Sequence, residues 1–274
     1  MVYLFSREEE IKKRIAKNFV YLFLDYDGTL TPIADAPCKA LLPAATRGLL
    51  RELSKARGCK LAVISGRSLK EIKRIIGLEG VVYAGNHGLE IDGPKLRFKS
   101  SVPPGFEKLV KDIKRALRDK LAGIGGIILE DKGYTLSVHY RMVHSRRAPF
   151  IRAVFREATA RYLACSKIKV KTGKMMLEVR PPVEWDKGRS VMWLLAKQMS
   201  ASRDKSVMPV YIGDDLTDED AFTALGSRGL TVFVGRPGGS AARYYLKDHN
   251  DVARFLAMVR ELKRTKKDAG TAES

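Results

Sequence analysis

Residues Phe19-Val-Tyr-Leu-Phe-Leu24 form an unbroken apolar run that stops at Asp25-Tyr-Asp-Gly-Thr-Leu30. A short run of this kind, with no polar position to turn toward water, is the pattern of a strand covered on both faces, as in a parallel sheet packed between helices. In an open sheet of that kind, ligands meet the chain at the carboxyl ends of the strands. Asp25 and Asp27 therefore stand where chemistry is expected. Two carboxylates one residue apart repel unless a cation neutralises them or one of them holds a proton.

The rest of the chain repeats the alternation. A charged helix pattern over Glu8–Lys17 precedes the run, and Pro43–Ala56 reads as a helix. Lys60–Ile64 is a second buried strand, with a helix opening at Ser65 and running to about Ile76. Gly80–Ala84 is a third strand, and Asn86–Phe98 reads as a hairpin turning at Asp92-Gly93. After Ser101-Val-Pro-Pro-Gly105 the pattern changes to helix (106–121), hairpin (127–141), helix (148–163) and hairpin (167–180). Pro181-Pro182 marks the return. Helices near 188–198, 217–225 and 252–263 then alternate with strands at 207–212 and 230–234. The fold class is α/β, a Rossmann-like doubly wound parallel-sheet core (1–98 and 181–274) carrying an inserted α+β domain (99–180). A length of 274 residues suits two such parts at about 150 residues per domain.

A second acidic cluster, Gly213-Asp214-Asp215, ends the strand at 207–212, and Asp218 follows at the opening of a helix, where it could serve as a cap. Two acidic clusters at two strand ends make an oxygen-only site for a hard cation, which favours Mg²⁺. The charge is uneven. The whole chain carries +20, and residues 95–180 hold 21 Lys/Arg against 7 Asp/Glu, so Glu130 and Glu178 stand out there. An electropositive insertion attracts an anionic substrate.

Together these segments resemble the haloacid dehalogenase superfamily of phosphotransferases. Asp25-Tyr-Asp-Gly-Thr-Leu30 is similar to its nucleophile loop, Ser65 to its phosphate-binding hydroxyl, Lys187 in Trp185-Asp-Lys-Gly188 to its phosphate lysine, and Gly213–Asp218 to its metal loop. The insertion resembles the α+β cap of the sugar-phosphatase branch. Within that branch, Leu24–Ile33, Ile64-Ser-Gly-Arg67, Ala84-Gly-Asn-His-Gly88, Leu177-Glu-Val-Arg-Pro181 and Gly213–Phe222 resemble the trehalose-6-phosphate phosphatase family; Asn86 and the long basic run of the insertion depart from its pattern.

The resemblance implies a Mg²⁺-dependent phosphatase in which Asp25 attacks phosphorus and Asp27 donates and then recovers a proton. It implies a cation held by Asp25, the main-chain carbonyl of Asp27 and Asp214, with Asp215 and Asp218 orienting Lys187 or metal-bound water. It further implies sugar or phosphate contacts from Arg67, His87, Glu130, Lys132, Arg141, Lys174 and Glu178, and a cap that opens and closes. His139, on a strand beside Val138, is expected to be structural. A trehalose-phosphate synthase is a possible partner.

Several classes are excluded or set aside. No CxxC pair exists among Cys38, Cys59 and Cys165, which argues against a zinc ribbon and for free thiols in a reducing cytoplasm. No apolar run reaches the length of a membrane span. GxxxxGK[ST] is absent, against a P-loop kinase. Two alternatives remain open: a related sucrose-phosphate or mannosyl-3-phosphoglycerate phosphatase or a phosphohexomutase, and, more remotely, a basic nucleic-acid-binding module without the interleaved aromatic motif such modules show.

Overall fold

The computed structural model describes residues 1–33, 40–173, 175–201 and 207–264. A two-residue strand, Val2–Tyr3 (β1), leads into helix Glu8–Lys17 (α1), which buries Ile11 and Ile15, one turn apart on one face. The apolar run is strand Phe19–Leu24 (β2), and Val20–Leu24 are fully buried. Ala44–Lys55 (α2), Cys59–Ile64 (β3), Leu69–Ile76 (α3), Val82–Gly85 (β4), Glu90–Gly93 (β5) and Leu96–Lys99 (β6) follow.

The inserted stretch supplies Phe106–Lys120 (α4), Ile128–Asp131 (β7), Leu136–His139 (β8), Ala148–Ala164 (α5), Lys169–Gly173 (β9) and Met176–Arg180 (β10). Lys187–Ala201 (α6), Val207–Gly213 (β11), Glu219–Leu225 (α7), Leu230–Val234 (β12), Tyr244–Leu246 (β13) and His249–Lys263 (α8) close the chain.

The chain divides into two compact units, 1–98 with 185–274, and 99–184. The first is built on a nine-stranded sheet of order β1-β13-β12-β11-β2-β3-β4-β5-β6, whose pairings from β1 through β4 are parallel and whose β4–β5 pairing is antiparallel. Because side chains alternate faces along a strand, β2 feeds two cores. Val20, Leu22 and Leu24 pack with residues of α1, α2, α3 and α8, whereas Tyr21 and Phe23 pack with residues of α6 and α7. The α/β fold with helices on both faces is the one expected.

Three local expectations are corrected. The β5–β6 hairpin turns at Pro94-Lys95, not Asp92-Gly93. Lys95 takes the positive φ of +59°, while a side chain at Gly93 would come within 2.8 Å of Val82 Cγ2, so this glycine permits close packing on β4. Helix α3 starts at Leu69, capped by Ser68 accepting from the Glu71 N–H, so Ser65 lies before the helix rather than at its N-terminus. Strands β1 and β13 were not foreseen.

The second unit is a four-stranded antiparallel sheet of order β7-β8-β10-β9. Leu136, Val138, Leu177 and Val179 form a core with Val110, Ile113 and Leu117 of α4 and Ile151, Val154 and Phe155 of α5. The alternate positions put Glu130, Ser137, Glu178 and Lys171 in one cross-strand row on the opposite face.

Candidate active site

The site of the first unit grows from the two adjacent strands β2 and β11. The Asp25 N–H donates to the Ile212 carbonyl at 2.9 Å, extending the sheet pairing one residue into the acidic loop. Asp25 is 5% exposed. Lys187, the first residue of α6, reaches it from the other side. Its ammonium is 2.7 Å from Asp25 Oδ1, 2.7 Å from Asp218 Oδ1 and 4.0 Å from Asp215 Oδ1. The close approach of α6 to α7 depends on Gly188, where a Cβ would lie 2.3 Å from the Asp220 carbonyl.

Asp218 is wholly buried and fully engaged. Tyr211 donates to Oδ1 at 2.6 Å, and the main-chain N–H groups of Asp214 and Asp215 donate to Oδ2 at 3.0 Å each. The expected cap role is corrected, since its side chain bonds backward into the loop and makes no cap bond to α7. Asp215 accepts from the N–H and hydroxyl of Thr217 at 2.8 and 2.7 Å.

Asp25, Asp214 and Asp218 each offer an oxygen, all within 4.8 Å of one another. Thr29 Oγ1 is 3.4 Å from Asp214 Oδ1. Gly28, at φ +87°, leaves room for that carboxylate, since a Cβ would fall 2.2 Å from Asp214 Oδ2.

Burial holds the Asp25 carboxyl well above the usual range; Lys187 pulls the other way, and Asp218, Asp214 and Asp215 push it further up. Asp214 is raised by burial and by Asp218 and Asp215. Asp218 is pushed up to about 6 by burial, against the pull of Lys187. The crowded surroundings of Asp215, whose side chain is 55% exposed, act upward on its carboxyl, but Lys187 and Thr217 outweigh them and hold it below the usual range. Burial opposes the charge of Lys187, yet Asp218 and Asp25 keep it firmly protonated. One cation thus faces four carboxylates. An oxygen-only donor set with excess negative charge fits a hard divalent cation.

Asp27 points elsewhere. Arg67 Nε and Nη2 donate to its Oδ2 and Oδ1 at 2.8 and 2.6 Å, and Nη1 donates to Glu71 Oε1 at 2.5 Å. Any share Asp27 takes in holding a cation therefore falls to its main chain. Ser65 is buried, and its hydroxyl accepts from the Arg67 N–H at 3.2 Å. The adjacent turn of Asn86-His87-Gly88 is held by the His87 N–H on the Ser65 carbonyl (2.9 Å) and the Asn86 N–H on the Arg67 carbonyl (2.7 Å). His87 lies against Gly66, where a Cβ would come within 2.8 Å of Nε2. The core residues Asp25, Asp214, Asp215, Asp218 and Lys187 thus form one cluster, and Asp27, Ser65, Arg67 and His87 line a second arc tied to it through the loop after β2.

In the second unit Glu178 is fully buried. Ser137 Oγ donates to Oε1 at 2.9 Å, Arg180 Nε to Oε2 at 2.5 Å, and Lys132 Nζ lies 3.4 Å from Oε1. Lys132 is also 3.6 Å from Glu130, which pairs with His139 at 2.8 Å. Glu130, Lys132 and Glu178 therefore belong to one charged network, with His139 in it. Arg141 is half-buried just beyond β8. Lys174 lies outside the described residues.

Sequence reasoning missed Tyr211, Thr29, Ser137, Arg180 and Glu71. Ser137 and Arg180 were findable, because the period-2 alternation of β8 and β10 puts them on the face of Glu178. Tyr211 was not: in an apolar strand its ring reads as core, and only its hydroxyl betrays the site.

The trehalose-phosphatase family model matches residues 23–246. The chain is 35% identical over 269 residues to the probable trehalose-phosphate phosphatase 4 of Oryza sativa, covering 94% of this chain and 71% of that protein. It is 34% identical over 239 residues to the trehalose-phosphate phosphatase of Mycobacterium marinum, covering 85% and 60%. The C-terminal domain of trehalose-6-phosphate phosphatase from C. albicans superimposes with a TM-score of 0.80 at 26% identity, covering 95% of this chain and 99% of that one. A haloacid dehalogenase-like hydrolase from Bacteroides thetaiotaomicron shares the fold at a TM-score of 0.62 and 18% identity, covering 88% and 98%.

Proposed function

This chain belongs to the trehalose-phosphatase family, and on that premise we propose that it hydrolyses trehalose 6-phosphate to trehalose and phosphate through an aspartyl-phosphate on Asp25, with Mg²⁺. The observation that carries the reading is the buried Lys187 bridging Asp25 and Asp218 beside Asp214.

Phosphate-monoester hydrolysis is among the slowest uncatalysed reactions, so it is split into two in-line displacements. A carboxylate oxygen of Asp25 bonds to phosphorus as the bond from phosphorus to the sugar oxygen breaks, and Asp27 gives that oxygen a proton. Water then attacks phosphorus, Asp27 takes the proton, and Asp25 is released as a carboxylate. Asp25 must be ionised to attack. Burial opposes this, and the ammonium of Lys187 at 2.7 Å favours it. When bound by Asp25 and Asp214, with the main chain of Asp27, Mg²⁺ supplies the remaining positive charge against the phosphate dianion. Ser65 offers its hydroxyl, and Lys187 its point charge, to the transferring phosphoryl group. Asp218, through Tyr211 and two N–H groups, fixes Lys187.

On the charged face of β7, β8 and β10, Glu130 and Lys132 are proposed to select the sugar, with the fully buried Glu178 holding Lys132 in place. A polyol needs convergent donors and acceptors, which this network has. The free thiols of Cys59 and Cys165 fit a cytoplasmic setting, with a synthase supplying the substrate. Among the described residues no helix is long and apolar enough to cross a membrane.

The test is phosphate release with Mg²⁺ from trehalose 6-phosphate, sucrose 6-phosphate, glucose 6-phosphate and mannosyl-3-phosphoglycerate. Selective turnover of trehalose 6-phosphate, lost without Mg²⁺ and in Asp25→Asn, is expected. Preference for another sugar would overturn the substrate assignment and leave the chemistry standing. Full activity in Asp25→Asn would overturn the chemistry.

A further inference from the structure

Arg67 is 3% exposed, and all three of its guanidinium nitrogens are engaged within the chain. Two of them grip Asp27 as a parallel fork, and the third holds Glu71, one helical turn further on in α3. The guanidinium also lies 5.2 Å from the centre of the Tyr26 ring. Its main chain is pinned on both sides, the N–H by the Ser65 hydroxyl and the carbonyl by Asn86. Three of its five N–H donors are taken in these bonds, and at 3% exposure the others have little access to a sugar or a phosphate. A bidentate fork fixes the plane of a carboxylate as well as its place. Asp27, by contrast, has a side chain 45% exposed and would swing freely on its loop without such a grip.

We propose that Arg67 is a positioning residue for Asp27, with Glu71 anchoring Arg67, and that it is not a substrate contact. The proposal rests on Asp27 being the proton donor of the reaction above. In the donating step Arg67 keeps one carboxyl oxygen while the other passes its proton to the departing oxygen. The fork closes again on the carboxylate, which then receives the proton of the attacking water. Lysine offers a point charge and no fork, so Arg67→Lys keeps the charge and removes the aim.

The experiment measures kcat/KM with Mg²⁺ for a series of aryl phosphates of rising leaving-group pKa, and for trehalose 6-phosphate. The parent protein, Arg67→Lys, Glu71→Gln and Asp27→Asn are compared, with circular dichroism melting curves as the check on folding. A good leaving group departs without a proton and a poor one needs it. Arg67→Lys is expected to lose about ten- to a hundredfold more on the poorest phenol than on the best, a part of the ~10²–10⁴ that general acid catalysis supplies. Glu71→Gln should tilt the series the same way by less. An equal loss across all aryl phosphates would make Arg67 a phosphate contact, and a loss confined to trehalose 6-phosphate would make it a sugar contact; either overturns the proposal. If Asp27→Asn tilts the series and Arg67→Lys does not, positioning fails alone. If Asp27→Asn leaves the slope unchanged, the proton-donor reading fails with it.

Discussion

Lys187 shows how much one residue carries. It is buried among carboxylates that water would otherwise separate, and desolvating it is costly unless each partner is in place. Replacing it by methionine leaves Asp25 and Asp218 buried without their shared cation. Breaking a buried pair in this way typically costs about 3–5 kcal/mol. The expected result for Lys187→Met is a large drop in urea midpoint together with loss of phosphate release. Adding Asp218→Asn removes one of the stranded charges, so the double variant should be more stable than Lys187→Met while staying inactive. A double variant no more stable than the single one would mean that the stranded charge of Asp218 is not what destabilises Lys187→Met.

Gly28 is constrained by space and by backbone at once. At φ +87°, with a Cβ 2.2 Å from Asp214 Oδ2, Gly28→Ala should weaken Mg²⁺ binding, read by calorimetric titration, more than it lowers thermal stability. An unchanged Mg²⁺ affinity would show that Asp214 is free to move aside.

At the scale of elements, what could be read from the sequence followed hydrophobic periodicity. The run of β2 could hardly be anything but a central strand, and its carboxyl end located Asp25 at once. Strands β1 and β13, of two and three residues, carry too few side chains to show a period and exist because β12 offers an edge to β13 and β13 one to β1. The helix after Ser65 was placed too early because Ser65 and Ser68 are both plausible caps, and only the main-chain path past Asn86 and His87 separates them.

Side-chain pairings across distant elements, such as Arg67 with Asp27, were illegible for the same reason that they matter: nothing local encodes them. The sheet of the second unit lies between these cases. Its row of Glu130, Ser137 and Glu178 follows from register, which alternation predicts, but the burial of Glu178 does not. Glu178→Gln removes the charge that Lys132 and Arg180 share. It is expected to raise KM for trehalose 6-phosphate several-fold while leaving hydrolysis of a simple aryl phosphate unchanged. Equal loss on both substrates would make Glu178 a structural carboxylate rather than one that serves sugar selection.

For the whole molecule, the acidic cluster couples stability to pH and to metal. A carboxyl whose folded pKa is raised contributes its stability in full below its unfolded pKa, near 3.8, and loses it as pH rises through the folded value. For Asp218 that window runs from about 4 to about 6, and Asp25 and Asp214 shift in the same direction. The opposite shift of Asp215 acts only below about pH 4, and Lys187 only above its ordinary range.

The metal-free protein is therefore increasingly burdened as rising pH removes protons from these crowded carboxylates, and a divalent cation should relieve that burden where the carboxylates are charged. The rise in Tm on adding Mg²⁺ is expected to be larger at pH 7.5 than at pH 5.0. Taking the increment at each pH cancels the self-repulsion that a net charge of +20 imposes throughout. Both tryptophans, Trp185 and Trp193, lie in the first unit, so tryptophan fluorescence follows the unit that holds the cluster, whereas far-ultraviolet circular dichroism also sees the second. The Mg²⁺ increment should appear in fluorescence. An increment equal at both pH values would mean that the cation binds elsewhere than at Asp25 and Asp214.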